Sequence, residues 1–404
     1  MSNRGEILII DIPVPVQHIL EVLSGHGFEA FIVGGCVRDS LMGRDPYDWD
    51  VATSALPRQI KACFPHTYDT GIEHGTVTVV HKGRNYEVTT YRVDGKYEDG
   101  RRPKSVSFTA SLEEDLARRD FTINAMAWSP GRGLVDPFGG MEDMENAMIR
   151  GVGDPDRRFG EDALRMMRAV RFSGQLDFTI SPGTFSAIKR SAGGLKQISA
   201  ERIRDELTKL MLSPHPEKIK LLWESGLLSE GWPLPLKPSE DEINNCGDIL
   251  PICPKKASLV YAVLFFGRER EDAYQAMKAL RFDNGICRDT SLLVKWAKCP
   301  VSNTDFAVRK YLSLCGRAYF HDLTVLKRLM KTADCDILPL IIERFDNIIE
   351  NGDCLNVDNL QIDGHDLLNM GLCGRQIGET LNRLLELVLR DPSLNSKSVL
   401  KKLV

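Results

Sequence analysis

The sequence predicts an α+β protein: a front part with a small mixed β-sheet and flanking helices, followed by an all-helical remainder. Short β-leaning runs alternate with helical stretches up to about Phe138. From about Glu142 onward apolar residues recur mostly at helical spacing and the β signals fade. At 404 residues the chain is long enough for several domains, and no fixed-period repeat or low-complexity tract interrupts it.

The elements follow in order. Val16–Leu23 has helical spacing. Phe31-Ile32-Val33 is a β-leaning run ending at Gly34-Gly35, where a strand must stop and the backbone can approach another group closely. Val37–Met42 reads as a short helix with Gly35 and Arg38 at its start; helix N-terminal amides plus a guanidinium make a triphosphate cradle. After a turn at Gly43, Asp48–Ala52 reads as a strand. Residues two apart on a strand face one side, so Asp48 and Asp50 point together while Trp49 and Val51 point away. Two carboxylates on one face repel unless a cation sits between them, and Mg²⁺ with phosphate oxygens is the usual occupant. A double glycine alone says little, and a lone Asp-x-Asp is more often a solvated loop. In this order and spacing they point to nucleotidyl transfer.

Pro57–Cys63 reads as a helix, and Thr76–His81 and Tyr86–Tyr91 as strands joined by Lys82-Gly83-Arg84-Asn85. Glu87 shares one face of its strand with Thr89 and Tyr91. Beside the Asp48/Asp50 strand it would be a third acid; on an edge strand it would be a surface glutamate, and its position does not fix the register. Trp232–Pro238, with the polar run to Asn245, looks like a linker or long loop.

Composition adds limits. No apolar run is long enough to span a membrane, and no basic region precedes an apolar one at the N-terminus. The ten cysteines form no C-x-x-C, which argues against a structural zinc site and suits reduced thiols in a cytoplasmic protein. Net charge is −4, yet residues 150–220 carry 14 Lys+Arg against 9 Asp+Glu. A basic segment on an acidic chain suggests a confined phosphate-binding surface; the alternative is a solvated helical face.

The stretch Phe31–Thr53 resembles the head signature of the class II nucleotidyltransferases, the family of bacterial tRNA CCA-adding enzymes and poly(A) polymerases. Arg118–Met126 is similar to that family's second motif; Asp136–Gly140 with Asp143 and Ile149-Arg150 to the third; Glu161–Arg165 with Arg168 and Arg171 to the fourth; Glu201–Leu207 to the fifth. The five motifs stand in family order over about the first half of the chain. Leu360–Leu368 and Gly374–Gly378 look, more loosely, like the tail of the shorter bacterial CCA-adding enzymes.

The resemblance implies a nucleotidyltransferase catalytic head over residues 1–140, a helical neck with a nucleotide-base template over 141–210, a helical body over 211–295 and a tRNA-docking tail over 296–404. It implies catalytic Asp48, Asp50 and Glu87, with Asp48 and Asp50 holding Mg²⁺, and nucleotide binding by Gly35, Arg38, Arg119, Asp162, Arg165, Arg168 and Arg171. Arg119 would contact the nucleotide and Asp120 the ribose; an Arg118–Asp120 ion pair is the alternative.

The template role has a chemical logic. Glu161–Arg171 reads as helix, with Asp162 at the start of a stripe carrying Arg165, Arg168 and Arg171. An ionised aspartate only accepts hydrogen bonds and an arginine only donates them. Cytosine and adenine both offer an amino donor beside a ring-nitrogen acceptor, whereas uracil and guanine offer a carbonyl beside an N–H. Asp162 on the amino group and Arg165 on the ring nitrogen therefore admit CTP and ATP. A salt-bridged surface helix is the plainer reading of the same charges. Asp136–Gly140 is either a hinge or a simple domain-crossing turn, and the fifth motif props the template helix through ion pairs.

The implied activity is template-independent addition of C, C and A to tRNA lacking all or part of its 3′ CCA, from CTP and ATP, with no obligate protein partner evident. Poly(A) polymerase, a CC- or A-only enzyme and a non-catalytic RNA-binding relative are the alternatives. The chain lacks a strongly basic C-terminal extension of the kind poly(A) addition suggests, and it retains the Arg92–Pro103 loop that CC-only enzymes lack by resemblance. Two His-Asp doublets, His321-Asp322 and His365-Asp366, raise a metal phosphohydrolase site, but further histidine ligands are scarce and both read as incidental.

Overall fold

The computed structural model describes residues 10–95 and 106–404, which form two compact units, Met1–Ile243 and Asn244–Val404. The first begins with α1 (Val14–Gly25), β1 (Ala30–Val33), α2 (Gly35–Leu41), β2 (Val51–Thr53) and α3 (Pro57–Cys63). Then come β3 (Thr67–Gly71), β4 (Thr76–His81), β5 (Arg84–Thr90), β6 (Arg92–Asp94) and β7 (Val106–Phe108). After α4 (Leu112–Ala117) follow β8 (Ala127–Ser129), β9 (Gly133–Val135) and α5 (Gly140–Glu145). The helices α6 (Pro155–Glu161), α7 (Leu164–Leu176), α8 (Pro182–Ser191) and α9 (Ala200–Met211) complete the part that bears the site.

Seven strands make one mixed sheet in the order β3-β4-β5-β2-β1-β8-β9, in which β2 and β5 are the parallel pair. The interior strand β1, between β2 and β8, is buried along its length, and its alternation divides the core. Ile32 packs with Val16, Ile19, Leu23 and Ile60 under α1 and α3. Phe31 and Val33 point the other way, toward Leu112, Leu116 and Ala125. The β4–β5 hairpin closes on Lys82 and Gly83 alone, at φ 50° and 75°; two positive-φ residues match the twist of the strands they join. The β6–β7 pair brackets the loop expected at Arg92–Pro103, whose residues 96–103 lie outside the described residues.

Three sequence expectations are corrected. Asp48 and Asp50 precede their strand rather than occupy it: β2 begins at Val51, opposite Ile32. The cause is the partner strand, since β1 stops at Val33 and the chain turns at Gly34, leaving Asp48 no ladder to join. The Val33 amide still bonds the Asp50 carbonyl at 3.0 Å, while Trp49 is half-buried against the core, so the segment stays extended. Glu161–Arg171 is not one helix either. The chain breaks at Asp162, whose backbone is extended and whose carboxylate accepts from the Leu164 amide at 3.0 Å, a local side-chain bond that competes with helix. Finally, the polar run after Pro238 is helical: Ser239 and Glu242 exchange reciprocal cap bonds that start the helix Glu240–Ile249.

The second unit is built of helices around a buried ion pair, Lys327 with Asp334 at 2.8 Å. Both His-Asp doublets are structural: Asp322 pairs with Lys256, His321 packs on Phe320 and Phe345, and Asp366 completes the capping box begun by Asp363 and pairs with Lys397. Among the described residues no helix is long and apolar enough to cross a membrane.

Candidate active site

Three carboxylates meet at the end of the parallel strand pair. Val51 pairs with Val88, so Asp50 stands abreast of Glu87, one residue earlier on each strand. The Asp50 carboxyl is raised above its ordinary value, first by partial withdrawal from water, then by the charges of Glu87 and Asp48, against the opposing pull of Arg119. Negative groups crowded in this way, with one arginine to offset them, suit a divalent cation. A second carboxylate group, Asp177 and Glu217 around His215, lies near the surface, where Lys218 already reaches Asp177 at 3.2 Å.

Around the same cavity stand Arg38 of α2, Arg118 and Arg119 after α4, and Arg165, Arg168 and Arg171 of α7. Nine of the ten residues singled out from the sequence line one cavity of about 590 Å³; the tenth, Glu87, joins it through Asp50. A larger cavity, about 880 Å³, lies in the second unit and gathers no comparable set of charges, so volume does not identify the site.

The double glycine has a steric cause. Gly34 sits at φ 77°, and a Cβ there would meet the Arg119 guanidinium at 2.7 Å. Arg119 therefore lies across the backbone at the start of α2, beside Asp50, with its Nε buried and without a hydrogen bond. Arg38 is more committed: Nη1 donates to Asn124 at 2.6 Å and Nε to Asp39 at 2.9 Å. Asn124 in turn donates to Asp120 at 3.1 Å, and Arg168 closes the chain on the other Asp120 oxygen at 2.7 Å. Burial would raise the Asp120 carboxyl, but Arg168 and Asn124 outweigh it and hold it far below the usual range. The Arg118–Asp120 pair weighed from the sequence does not form; Arg118 and Arg119 both turn to the buried Asp115.

Asp162, Arg165 and Arg171 are each held by charged neighbours. Arg202 grips Asp162 with two bonds, 3.2 and 2.6 Å, and Glu206 takes Arg171 at 2.5 Å, so the fifth motif forms ion pairs with Asp162 ahead of α7 and with Arg171 on it. Arg165 is fixed by Glu161 and by the Arg118 carbonyl, each at 3.0 Å. A carboxylate has about four acceptor positions and a guanidinium five donors, so both groups keep capacity toward the cavity. The third motif clips to the second: Thr122 donates to the buried Asp143 at 2.7 Å, and a Cβ on Gly140 would strike the Thr122 carbonyl. Asn124 and Arg202 lay within motifs quoted from the sequence, but nothing local signalled that they would hold Arg38 and Asp162.

A mixed sheet bearing three convergent carboxylates against an arginine-lined cavity defines a nucleotidyltransferase. Residues 30–150 match the family model described as the Poly A polymerase head domain, and 177–233 that described as the probable RNA and SrmB-binding site of polymerase A. The chain is 35% identical to a CCA-adding enzyme of Lactobacillus helveticus over 97% of its own length and 96% of that protein's. Over 210 residues, 52% of each chain, it is 55% identical to a CCA-adding enzyme of Geobacillus thermodenitrificans. The crystal structure of the Bacillus stearothermophilus CCA-adding enzyme in complex with CTP superposes with a TM-score of 0.81 at 31% identity, covering 97% of both chains. The chain belongs to the CCA-adding enzymes.

Proposed function

We propose that this chain completes tRNA 3′ ends, adding C, C and A in turn from CTP and ATP without a nucleic-acid template. The observation that carries this reading is the gathering of two groups around one cavity: Asp48 and Asp50, with Glu87 beside Asp50, and Asp162 with Arg165. The first group suits phosphoryl chemistry and the second suits a base with an amino donor beside a ring-nitrogen acceptor. The division into a head over 1–140, a neck over 141–210, a body over 211–295 and a tail over 296–404 belongs to the same proposal.

In the reaction, the terminal 3′-oxygen of the RNA bonds to the α-phosphorus of the nucleotide as the bond to the β-phosphate oxygen breaks and pyrophosphate leaves. Mg²⁺ held by Asp48 and Asp50, with Glu87 beside them, would lower the pKa of the attacking hydroxyl and neutralise the leaving group. Arg119 lies where the triphosphate enters, across Gly34 and next to Asp50, and offers an uncommitted buried N–H. Arg168 and Arg171 flank the nucleotide on α7, each backed by an acid that fixes its orientation. Asp162 and Arg165 read the base, held rigid by Arg202 and Glu161, so their bonds are made to a base without reorganising the pocket.

The test is incubation with tRNA ending before CCA and each labelled triphosphate in turn. CTP should extend the RNA by two residues, ATP should add one only after both, and UTP and GTP should add none. Extension by ATP alone into a long tail would overturn the reading in favour of poly(A) addition.

A further inference from the structure

The nucleotide cavity does not stand alone. A second cavity of about 580 Å³ meets it at Gly35, Arg38, Asp48, Asp50, Arg171 and Phe172. The two diverge beyond that seam. The base-reading residues Asp162 and Arg165 line only the first, whereas Arg44, Tyr47, Gln175 and Lys209 line only the second. In-line displacement needs such a plan, because attacking and leaving oxygens lie on opposite sides of the phosphorus. With the triphosphate toward Arg119, the attacking hydroxyl must approach the carboxylates from the other side.

We infer that this second cavity seats the 3′-terminal nucleotide of the RNA, with Tyr47 as its stacking platform and Lys209 and Arg44 meeting the backbone phosphates. The inference rests on the proposed function and assigns the acceptor half of that site. Tyr47 is 96% exposed, the most open of the exposed large apolar side chains among the described residues, and it stands one residue before Asp48. An aromatic ring held in water beside the reacting groups is a ready surface for a base. Lys209 is exposed on α9, and Arg44 reaches across to the Gln175 carbonyl at 3.4 Å. Phe172 closes the seam between the cavities, with the Arg171 guanidinium 4.0 Å above its ring.

The chemistry of the reaction favours a stacking site here. The RNA end carries any base before the first addition, and cytosine before the second and third. A pocket that read the terminal base by hydrogen bonds would fail at one step or another, whereas a π-face accepts every base. Selection therefore falls to the first cavity and tolerance to the second.

The experiment compares wild type with Tyr47→Ala, Tyr47→Phe and Lys209→Ala on three tRNA substrates, ending before CCA, after one C and after two. Tyr47→Ala should lower kcat/KM for the RNA about ten- to a hundredfold at each step, with the KM for CTP or ATP changed by less than about twofold. Tyr47→Phe keeps the ring and should restore most of the loss, and Lys209→Ala should raise the KM for RNA with a shallower salt dependence. So exposed a side chain can be removed without unfolding the protein, and thermal melting checks this. A rise in nucleotide KM with RNA KM unmoved would assign the ring to the nucleotide and overturn the inference, as would no change in either constant. A wild-type protein that adds no cytidine overturns the proposed function; an active wild type with an indifferent Tyr47→Ala overturns this inference alone.

Discussion

Arg168–Asp120 in the first unit and Lys327–Asp334 in the second are both ion pairs drawn out of water, but they are built to different ends. The Lys327 side chain is 2% exposed and its three N–H donors are spent, on Asp334 at 2.8 Å and on the carbonyls of Ala297 at 3.1 Å and Cys299 at 2.6 Å. Asp334 is equally saturated, by Lys327, Thr332 and the Val301 amide. The Arg168 side chain, by contrast, is 34% exposed and lines the cavity proposed for the nucleotide, while its partner Asp120 is fixed from behind by Asn124. A pair whose donors are all consumed can only hold the fold; a pair fixed on one side and open on the other can meet a ligand without paying to reorganise.

The same contrast bears on what was legible in the sequence. Asp48 and Asp50 were legible because their spacing is written within three residues, although they lie on an extended segment ahead of β2 rather than on one strand. Glu87 needed the Val51–Val88 register, which no local pattern fixes. The break at Asp162 was hidden because one side-chain bond to the Leu164 amide decided it against the helical spacing of the residues around it. The short strands β8 and β9 were missed, at three residues each too brief for any periodicity to emerge. The Lys327–Asp334 pair drew no attention, since a lysine and an aspartate seven apart look like ordinary surface charge until burial is known.

Removing a carboxylate from the open site should have the largest effect. Asp48→Ala or Asp50→Ala should lower nucleotide addition by on the order of a thousandfold or more, with tRNA affinity little changed, because these groups serve the chemical step. Near-normal turnover of either variant with Mg²⁺ would remove the metal assignment and, with it, the distinction drawn between the two regions.

Breaking the sealed pair should act on stability instead. Lys327→Met leaves Asp334 buried without its cation and should cost about 3–5 kcal/mol, measured by denaturant unfolding. Lys327→Met combined with Asp334→Leu should recover part of that loss, since no charge is then stranded. The pH dependence has a definite sign. Burial raises the Asp334 carboxyl, but the bonds from Lys327, Thr332 and the Val301 amide more than offset it and hold it below its ordinary value. Its contribution is thus present above the ordinary carboxylate range and lost as pH falls through the depressed value, and the double variant should lose that acid-side component. Full stability in Lys327→Met would show that the pair is not the scaffold element its burial implies.

Within the open site, the residues proposed to read the base should affect selection more than stability. Asp162→Ala and Arg165→Ala should each cost on the order of 1.5–3 kcal/mol of discrimination, roughly ten- to a hundredfold, seen as UTP or GTP incorporation relative to CTP and ATP. Arg202→Ala, which frees Asp162 without removing it, should give a weaker loss in the same direction. Unchanged selectivity in all three would reduce the Glu161–Arg171 segment to a salt-bridged scaffold and erase the contrast with the second unit.

The smallest effect expected is at Gly34, and it tests whether Arg119 belongs with the open groups or the sealed ones. The backbone there, φ 77° and ψ −128°, lies in a region that side chains disfavour, so Gly34→Ala should cost about 1–3 kcal/mol of stability from strain alone. A second consequence follows from the 2.7 Å approach of Arg119 Nη1 to the new methyl group. The guanidinium is the end of a flexible chain and can withdraw, and its hold on Asp115 is long, at 3.5 Å. Withdrawal moves positive charge from the triphosphate entry, so the KM for both nucleotides should rise severalfold while kcat falls less. If stability drops but both KM values stay fixed, Arg119 is a packing group, and the uncommitted N–H beside Asp50 does not serve the nucleotide. If the KM values rise together and Arg119→Ala adds nothing to Gly34→Ala, the glycine is there to let that arginine lie against the backbone where the triphosphate enters.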